Sequence, residues 1–245
     1  MATVKRLREE WDRAVLSATA NAGTGLPTDA QVLGAVNRLS TGNTTVVCAA
    51  GGLPGDLHKF WQVREGGGYH VEYGFSCMGY EIAGGLGVKL ADPNRDVVVL
   101  VGDGSYLMMN SEIATSVAMG LKLTLVVLDN RGFGCIHRLQ TSRGGDAFNN
   151  LMDERSPHID FAAHAASLGA VARKVSGIHE LEEALAKSRF DAKTTVIVID
   201  TDPAGGANVG GAWWDVALPE VSANPNVAKA FSGYRDELGK LRDKE

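Results

Sequence analysis

The stretch VVVLVGDGS, residues 97–105, decides the fold, because an uninterrupted apolar run ends there in a carboxylate flanked by glycines. A second apolar run, Leu123–Leu128, ends in Asp129-Asn130-Arg131-Gly132. Such runs are typical of strands buried on both faces of a parallel sheet, whose carboxyl ends lie at one edge. Carboxylate and amide oxygens suit Mg²⁺, and glycine-rich turns let backbone amides approach an anion. The two strand ends therefore predict a magnesium–diphosphate site that uses Asp103 and Asn130.

Two other kinds of phosphate-binding loop do not fit this turn. No Gly-x4-Gly-Lys-Ser/Thr string occurs in the chain, and the third glycine of a Gly-x-Gly-x-x-Gly fingerprint is replaced by Leu107. An aspartate that faces phosphate also needs a cation between the two groups. By itself, Gly-Asp-Gly also fits an ordinary strand–helix turn with an acidic residue at the helix N-terminus. Asn130, 27 residues after Asp103, favours the metal site.

Alternation of apolar strands with amphipathic helices extends along the chain and predicts an α/β fold, a doubly wound parallel sheet flanked by helices. We expect one domain over residues 1–245, with a mobile loop at Arg143–Pro157. Thr28 or Asp29 can cap a helix that carries Val32, Leu33, Val36 and Leu39. The other predicted helices are Val4–Ala20, Cys77–Leu90, Leu107–Gly120, Phe161–Leu168, Ile178–Phe190 and Val227–Lys244, and the predicted strands are Thr44–Ala49, Asp96–Val101, Leu121–Leu128, Ala170–Val175 and Thr194–Ile199.

Composition limits the compartment and the partners. The 245 residues carry a formal net charge of −5, which argues against nucleic acid as the main partner. The three cysteines lack Cys-x-x-Cys spacing, which favours a reducing compartment over a disulfide framework or a zinc site. No signal-like apolar core opens the chain, and the apolar runs are too short to cross a bilayer. These features predict a cytoplasmic protein with no membrane partner.

The turn at residues 102–105, taken with Asp129-Asn130, resembles the cofactor signature of thiamine-diphosphate enzymes. The resemblance implies that Asp103 and Asn130 donate side-chain oxygens to Mg²⁺, and that Gly132 adds its carbonyl oxygen. It also implies diphosphate contacts at a helix N-terminus from Gly102, Gly104 and Ser105, through backbone amides and the Ser105 hydroxyl. The implied cofactors are thiamine diphosphate and Mg²⁺.

Two further segments are similar to the same family. Tyr73–Tyr80 resembles the segment that supports bent thiamine, which implies that Met78 lies under the cofactor and that the Ser76 carbonyl accepts a hydrogen bond from the pyrimidine amino group. As a single residue, Met78 fits core packing equally well. The loop at residues 49–56 is similar to a second diphosphate loop of the family. The further cofactor-binding residues that this similarity implies are Gly52, Leu53, Phe133 and Gly134.

Three segments and the tail more specifically resemble the family of 3D-(3,5/4)-trihydroxycyclohexane-1,2-dione hydrolases. They are residues 49–58, 69–74, 129–136 and 213–222. This resemblance implies hydrolytic opening of a cyclic 1,2-diketone to 5-deoxy-glucuronate in inositol catabolism, in a homo-oligomer. Only the C-terminal, diphosphate-binding part of the family's length is matched. We therefore expect the pyrimidine-binding domain, with its activating glutamate, to lie outside this chain. The chain alone would bind the cofactor weakly at best and catalyse little.

Other interpretations stay open at this stage. A different thiamine-diphosphate carboligase or 2-oxo-acid decarboxylase has the same metal motif, and a non-catalytic assembly module could keep the fold. His70, Glu72 and His137 could approach the substrate, although a structural role is an equal or better explanation for each. Cys77 and Cys135 fit packing near the cofactor. Trp213 and Trp214 could form an interface or lid, or simply pack.

Overall fold

A computed structural model describes residues 2–21, 23, 25–153, 155–206, 209, 216 and 218–242. Helices and strands alternate through these ranges, and none of the helices there combines the length and apolar character needed to cross a bilayer. The elements are α1 (Ala2–Thr19), α2 (Asp29–Leu39), β1 (Thr44–Cys48), α3 (Leu53–Phe60), β2 (Tyr69–Val71), α4 (Tyr80–Ala91), β3 (Asp96–Gly102), α5 (Asp103–Met108), α6 (Glu112–Ala118), β4 (Thr124–Asp129), α7 (Gly134–Ser142), α8 (Phe161–Ser167), β5 (Val171–Val175), α9 (Ile178–Ser188), β6 (Thr195–Asp200) and α10 (Pro225–Arg242).

The six strands form one parallel sheet in the order β2-β1-β3-β4-β6-β5. The chain runs from β1 outward to β2 and then returns to the other side of β1 as β3, where Val47 pairs with Val99. The strand order therefore reverses between β1 and β3. Sheets of this kind bind ligands in the crevice outside the carboxyl ends of the strands at such a reversal. The predicted doubly wound fold is confirmed.

The core lies on both faces of the sheet, because side chains alternate along each strand. In β4, Leu125 and Val127 pack into one buried cluster with residues of α4, α6 and α8. Val126 and Leu128 pack into the other cluster, with residues of α2, α3 and α9. All four side chains are almost fully buried. Burial on both faces explains why these strands are apolar without alternation in the sequence.

The structure differs from the sequence prediction at several elements. The single helix predicted over Leu107–Gly120 is two short helices, α5 and α6, and the first begins at Asp103 itself. The helix predicted from Cys77 begins at Tyr80, after Gly79 adopts a φ of 95°. Helices α3 and α7 and the three-residue strand β2 had no predicted counterpart. Each of these elements depends on packing around the crevice more than on its own periodicity.

Candidate functional site

All twelve residues predicted to bind the cofactor or the metal line one cavity of about 500 Å³. The cavity lies at the reversal of strand order, between the segment that follows β1 and the turn between β3 and α5. Its volume is in the range of ordinary small-molecule sites. The residues it brings together are Gly52, Leu53, Ser76, Met78, Gly102, Asp103, Gly104, Ser105, Asn130, Gly132, Phe133 and Gly134.

Asp103 and Asn130 each present a buried oxygen without a partner. Within the described part of the chain, neither Oδ1 of Asp103 nor Oδ1 of Asn130 accepts a hydrogen bond. Asp103 is only 3% exposed, and its burial together with the nearby Asp129 carboxylate raises its pKa to about 7. Buried polar atoms normally have a partner, so two orphaned oxygens in one cavity need an explanation. A divalent cation is a suitable partner for both, and the donor set fits Mg²⁺.

The loop after β4 turns sharply, which directs its groups into the cavity. Arg131 and Gly132 have φ values of 62° and 145°, and a side chain at position 132 would collide with the Asn150 carbonyl oxygen. Residues 150–152 hold the turn, since Phe133 N donates to Asn150 O at 2.7 Å and Met152 N donates to Arg131 O at 2.8 Å. Part of the segment predicted to be a mobile loop is thus hydrogen-bonded to the candidate metal loop.

A buried carboxylate that the sequence analysis missed connects three parts of the cavity wall. Glu81 is 1% exposed, and its Oε1 accepts a hydrogen bond from Ala50 N at 3.1 Å. Its Oε2 accepts from Gly79 N at 3.0 Å, and both oxygens lie 2.8 Å from Ser105 Oγ. Burial raises the pKa of Glu81, while these hydrogen bonds oppose the shift. The Ser105 hydroxyl is thus bonded to Glu81, whereas the resemblance assigned it to the diphosphate.

An apolar border lies beside the turn at the start of α5. A Cβ placed on Gly104 would lie 2.9 Å from Phe133 Cε1 and 3.5 Å from Met78 Cε. The side chains of Met78 and Phe133 are both partly exposed to the cavity. Ser76 lies beside them, and its Oγ donates to Ala49 O at 3.4 Å. The cavity therefore has an oxygen-rich metal side and an apolar side, as a diphosphate with an attached aromatic group requires.

Three weaker candidates do not line this cavity. His70 Nε2 lies 2.7 Å from the hydroxyl of Tyr80, with the two rings stacked. Glu72 accepts hydrogen bonds from the backbone N–H groups of Phe75 and Cys77. These bonds order the turn before Met78 and lower the pKa of Glu72. His137 lies on α7 and is absent from the lining residues.

Of the cysteines, Cys135 lines the cavity and Cys77 is exposed. Trp213 and Trp214 lie outside the described residues.

Sequence reasoning also missed an ion pair at the cavity wall. Arg138 Nη2 lies 3.6 Å from Oδ2 of the buried Asp29, and both residues line the cavity. The sequence did indicate a helix start here, because Thr28 caps α2 with a capping box that includes Gln31. It gave no sign that Asp29 and Arg138 meet, since they are distant in the chain.

Curated proteins of known name are similar to nearly the whole chain. Three of them are 3D-(3,5/4)-trihydroxycyclohexane-1,2-dione hydrolases. The protein from Bacillus cereus (strain AH820) is 40% identical over 90% of this chain, and the one from Shouchella clausii (strain KSM-K16) is 36% identical over 96%. The one from Clostridium tetani (strain Massachusetts / E88) is 40% identical over 88%. The matches cover 36%, 37% and 35% of those proteins. The chain thus spans about a third of the length of the curated relatives that it matches.

Solved structures share the fold at lower identity. A thiamine diphosphate-dependent 4-hydroxybenzoylformate decarboxylase from Rhodococcus jostii RHA1 superposes with a TM-score of 0.66 and 18% identity, and a benzoylformate decarboxylase from Polynucleobacter necessarius with 0.63 and 22%. Each covers 75% of this chain and 34% of the solved chain. The family model of the thiamine pyrophosphate enzyme C-terminal TPP-binding domain matches residues 49–201, which contain every predicted cofactor residue. The chain belongs to this family of thiamine pyrophosphate-binding domains.

Proposed function

We propose that this chain binds Mg²⁺ and the diphosphate group of thiamine diphosphate, as the diphosphate-binding half of a hydrolase that acts on a carbon–carbon bond. The observation that carries the proposal is the pair of orphaned oxygens, Oδ1 of Asp103 and Oδ1 of Asn130, in the cavity lined by every predicted cofactor residue. Family membership supports the same cofactor.

Different residues of the chain would bind different parts of the cofactor. Asp103, Asn130 and the carbonyl of Gly132 would bind the metal, which would bridge to the diphosphate. The first backbone N–H groups of α5 have no carbonyl acceptor within the helix, so they would donate to diphosphate oxygens. Met78 and Phe133 would pack against the rings and keep water from them. The bound cofactor would supply a nucleophilic carbon, chemistry that no protein side chain provides.

The substrate and the remaining half of the site are also proposals. The relatives named above suggest a cyclic 1,2-diketone that is opened to 5-deoxy-glucuronate in inositol catabolism. These relatives are nearly three times as long as the match, so we propose that the pyrimidine-binding domain and its activating glutamate come from sequence beyond these 245 residues, in the same or a partner chain. We extend the proposal to a cytoplasmic homo-oligomer, consistent with three free cysteines.

Binding of the cofactor tests the first proposal directly. Thiamine diphosphate with Mg²⁺ should raise the melting temperature of the chain and give a saturable calorimetric titration, because a ligand that binds only the folded state stabilises it. Asp103→Asn keeps the shape but removes the charge that holds the metal, and it should abolish both signals. It should change the stability of the protein without ligand little, because burial already disfavours the charged form of Asp103. Asp96→Asn, an exposed position at the amino end of the same strand, is the matched control.

The substrate needs a separate assay with the pyrimidine-binding domain supplied. The reconstituted protein should open the cyclic dione and release an acid, which can be followed by product analysis. Turnover of pyruvate without turnover of the dione would contradict the hydrolase proposal and support a decarboxylase or carboligase. Absence of any cofactor signal, even with the second domain present, would leave the fold as an assembly module.

A further inference from the structure

Arg138 is the one cationic side chain among the described residues that line the cavity. Two carboxylates, those of Asp29 and Asp103, line it as well. An Mg²⁺ ion bound by Asp103 loses part of its positive charge to that carboxylate, whereas a diphosphate carries several negative charges. Backbone amides contribute only partial charges. The metal and the amides therefore leave negative charge on the diphosphate to be balanced by another group.

The guanidinium of Arg138 is fixed at the loop that follows β1. Its Nη1 donates to Pro203 O at 2.9 Å, and its Nη2 lies 3.6 Å from Asp29 Oδ2. A Cβ placed on Gly52 would lie 2.6 Å from Nη2, and one placed on Gly134 would lie 3.3 Å from Nη1. The guanidinium thus occupies the space above two predicted diphosphate-binding glycines. Neither glycine could carry a side chain without displacing it.

The ion pair is asymmetric, which leaves its positive end available to a ligand. The side chain of Asp29 is 5% exposed, while that of Arg138 is 22% exposed. The guanidinium is therefore the more exposed member of the pair, and the buried carboxylate can orient it. An arginine held in this way presents a rigid fork of N–H donors, which matches phosphate oxygens better than a flexible ammonium does.

We infer that Arg138 binds the diphosphate directly, as a cationic ligand in addition to the metal, and that Asp29 is the positioning residue that orients it. This inference rests on the proposed cofactor. It adds a side-chain contact to the diphosphate, made by Arg138 of α7 beside the loop at residues 51–53. The sequence indicated only backbone contacts to the diphosphate from that loop.

Calorimetric titration with two probes tests the assignment. Magnesium pyrophosphate carries the charge without the thiamine rings, and thiamine carries the rings without the charge. Arg138→Gln should weaken binding of magnesium pyrophosphate and of thiamine diphosphate roughly tenfold or more, with a smaller loss in Arg138→Lys because the lysine keeps the charge but not the fork. Arg38→Gln, which removes another carboxylate-paired arginine far from the cavity, should leave both affinities unchanged. Any binding of thiamine should be the same in all variants.

Removal of Arg138 alone leaves the buried Asp29 without its cation, which could impair folding. The double variant Asp29→Asn with Arg138→Gln removes both charges together. Its affinity for magnesium pyrophosphate should be lower than that of Asp29→Asn alone, by the same factor as Arg138→Gln lowers the affinity of the wild type. Wild-type affinity for pyrophosphate in the folded double variant would overturn the inference while leaving the cofactor proposal intact. Failure of the wild-type protein to bind either diphosphate, with the pyrimidine-binding domain also supplied, would overturn the cofactor proposal, and the inference with it.

Discussion

The hydroxyl oxygen of Ser105 lies 2.8 Å from both carboxylate oxygens of Glu81, and it accepts a hydrogen bond from Gly79 N at the same distance. Glu81 also accepts from Ala50 N. One buried carboxylate on α4 therefore connects the three segments that form the cavity: the loop after β1, the segment that carries Met78, and the turn at the start of α5. The shape of the cavity depends on a residue that does not line it.

We predict that Glu81→Ala lowers the free energy of unfolding by about 3 kcal/mol, because it leaves several buried donors without an acceptor. Glu81→Gln keeps one acceptor and should cost less. Chemical denaturation measures both values. Glu180→Ala is the control, since Glu180 also accepts a backbone N–H bond, from Ser176, but is exposed. Unchanged stability in Glu81→Ala would show that the three segments hold their positions without this carboxylate.

Substitution of Met78 should affect binding at the apolar side of the cavity and not binding at its oxygen-rich side. Its side chain lies on the apolar side, so Met78→Ala should weaken thiamine diphosphate by about 1 to 2 kcal/mol through the lost apolar contact and leave magnesium pyrophosphate unaffected. Titration calorimetry with the two ligands measures the difference. Met119→Ala, at an exposed position after α6, serves as the control. Equal losses for both ligands would mean that Met78 supports the fold of the cavity and not the thiamine rings.

The stability of the protein without ligand should depend on the titration of Asp29. Burial raises its pKa from 3.8 to about 6; Arg138 opposes the shift, while Asp56 and Asp202 add to it. Between these two pH values the folded chain holds a proton that the unfolded chain has released. This group therefore stabilises the fold most at low pH, and the contribution is lost as the pH rises through 6.

Asn at position 29 cannot titrate. The free energy of unfolding of Asp29→Asn minus that of the wild type should therefore increase by about 2 kcal/mol from pH 4 to pH 7. Denaturation at a series of pH values measures this difference. Asp191→Asn gives the opposite sign, because hydrogen bonds from Arg173 lower the pKa of Asp191 and its stabilisation is lost as the pH falls. A flat difference for Asp29→Asn would mean that the carboxylate stays charged throughout.

The residues proposed to bind the metal and the diphosphate could be brought to one cavity from the sequence because each follows a buried strand. An apolar run followed by glycine and a carboxylate identifies both the strand and the edge at which it ends, so Asp103 and Asn130 could be placed together from the sequence alone. The number of helices between them was harder to predict. The break at Met109, whose φ is −153°, separates α5 from α6, yet the apolar periodicity continues through it. Tertiary packing, and not local propensity, divides this segment.

Glu81 and Arg138 could not be placed in the same way. The only signal at Glu81 is a carboxylate in the first turn of an otherwise apolar, glycine-rich helix, where a buried charge needs partners. Those partners are backbone N–H groups, and no residue pattern identifies them. Arg138 lies one turn into α7, a helix whose start is defined by the metal loop and not by its own amphipathic pattern.

The pairing of Val47 with Val99 joins strands that are far apart in the chain, and it brings the loop after β1 beside the turn that carries Asp103. Parallel pairings between distant segments are slow to form, because loop-closure entropy is lost before the contacts compensate for it. The cavity therefore cannot exist in an early folding intermediate, however much helix that intermediate contains. Recovery of the ability to bind a diphosphate would report that these two central strands have paired during refolding.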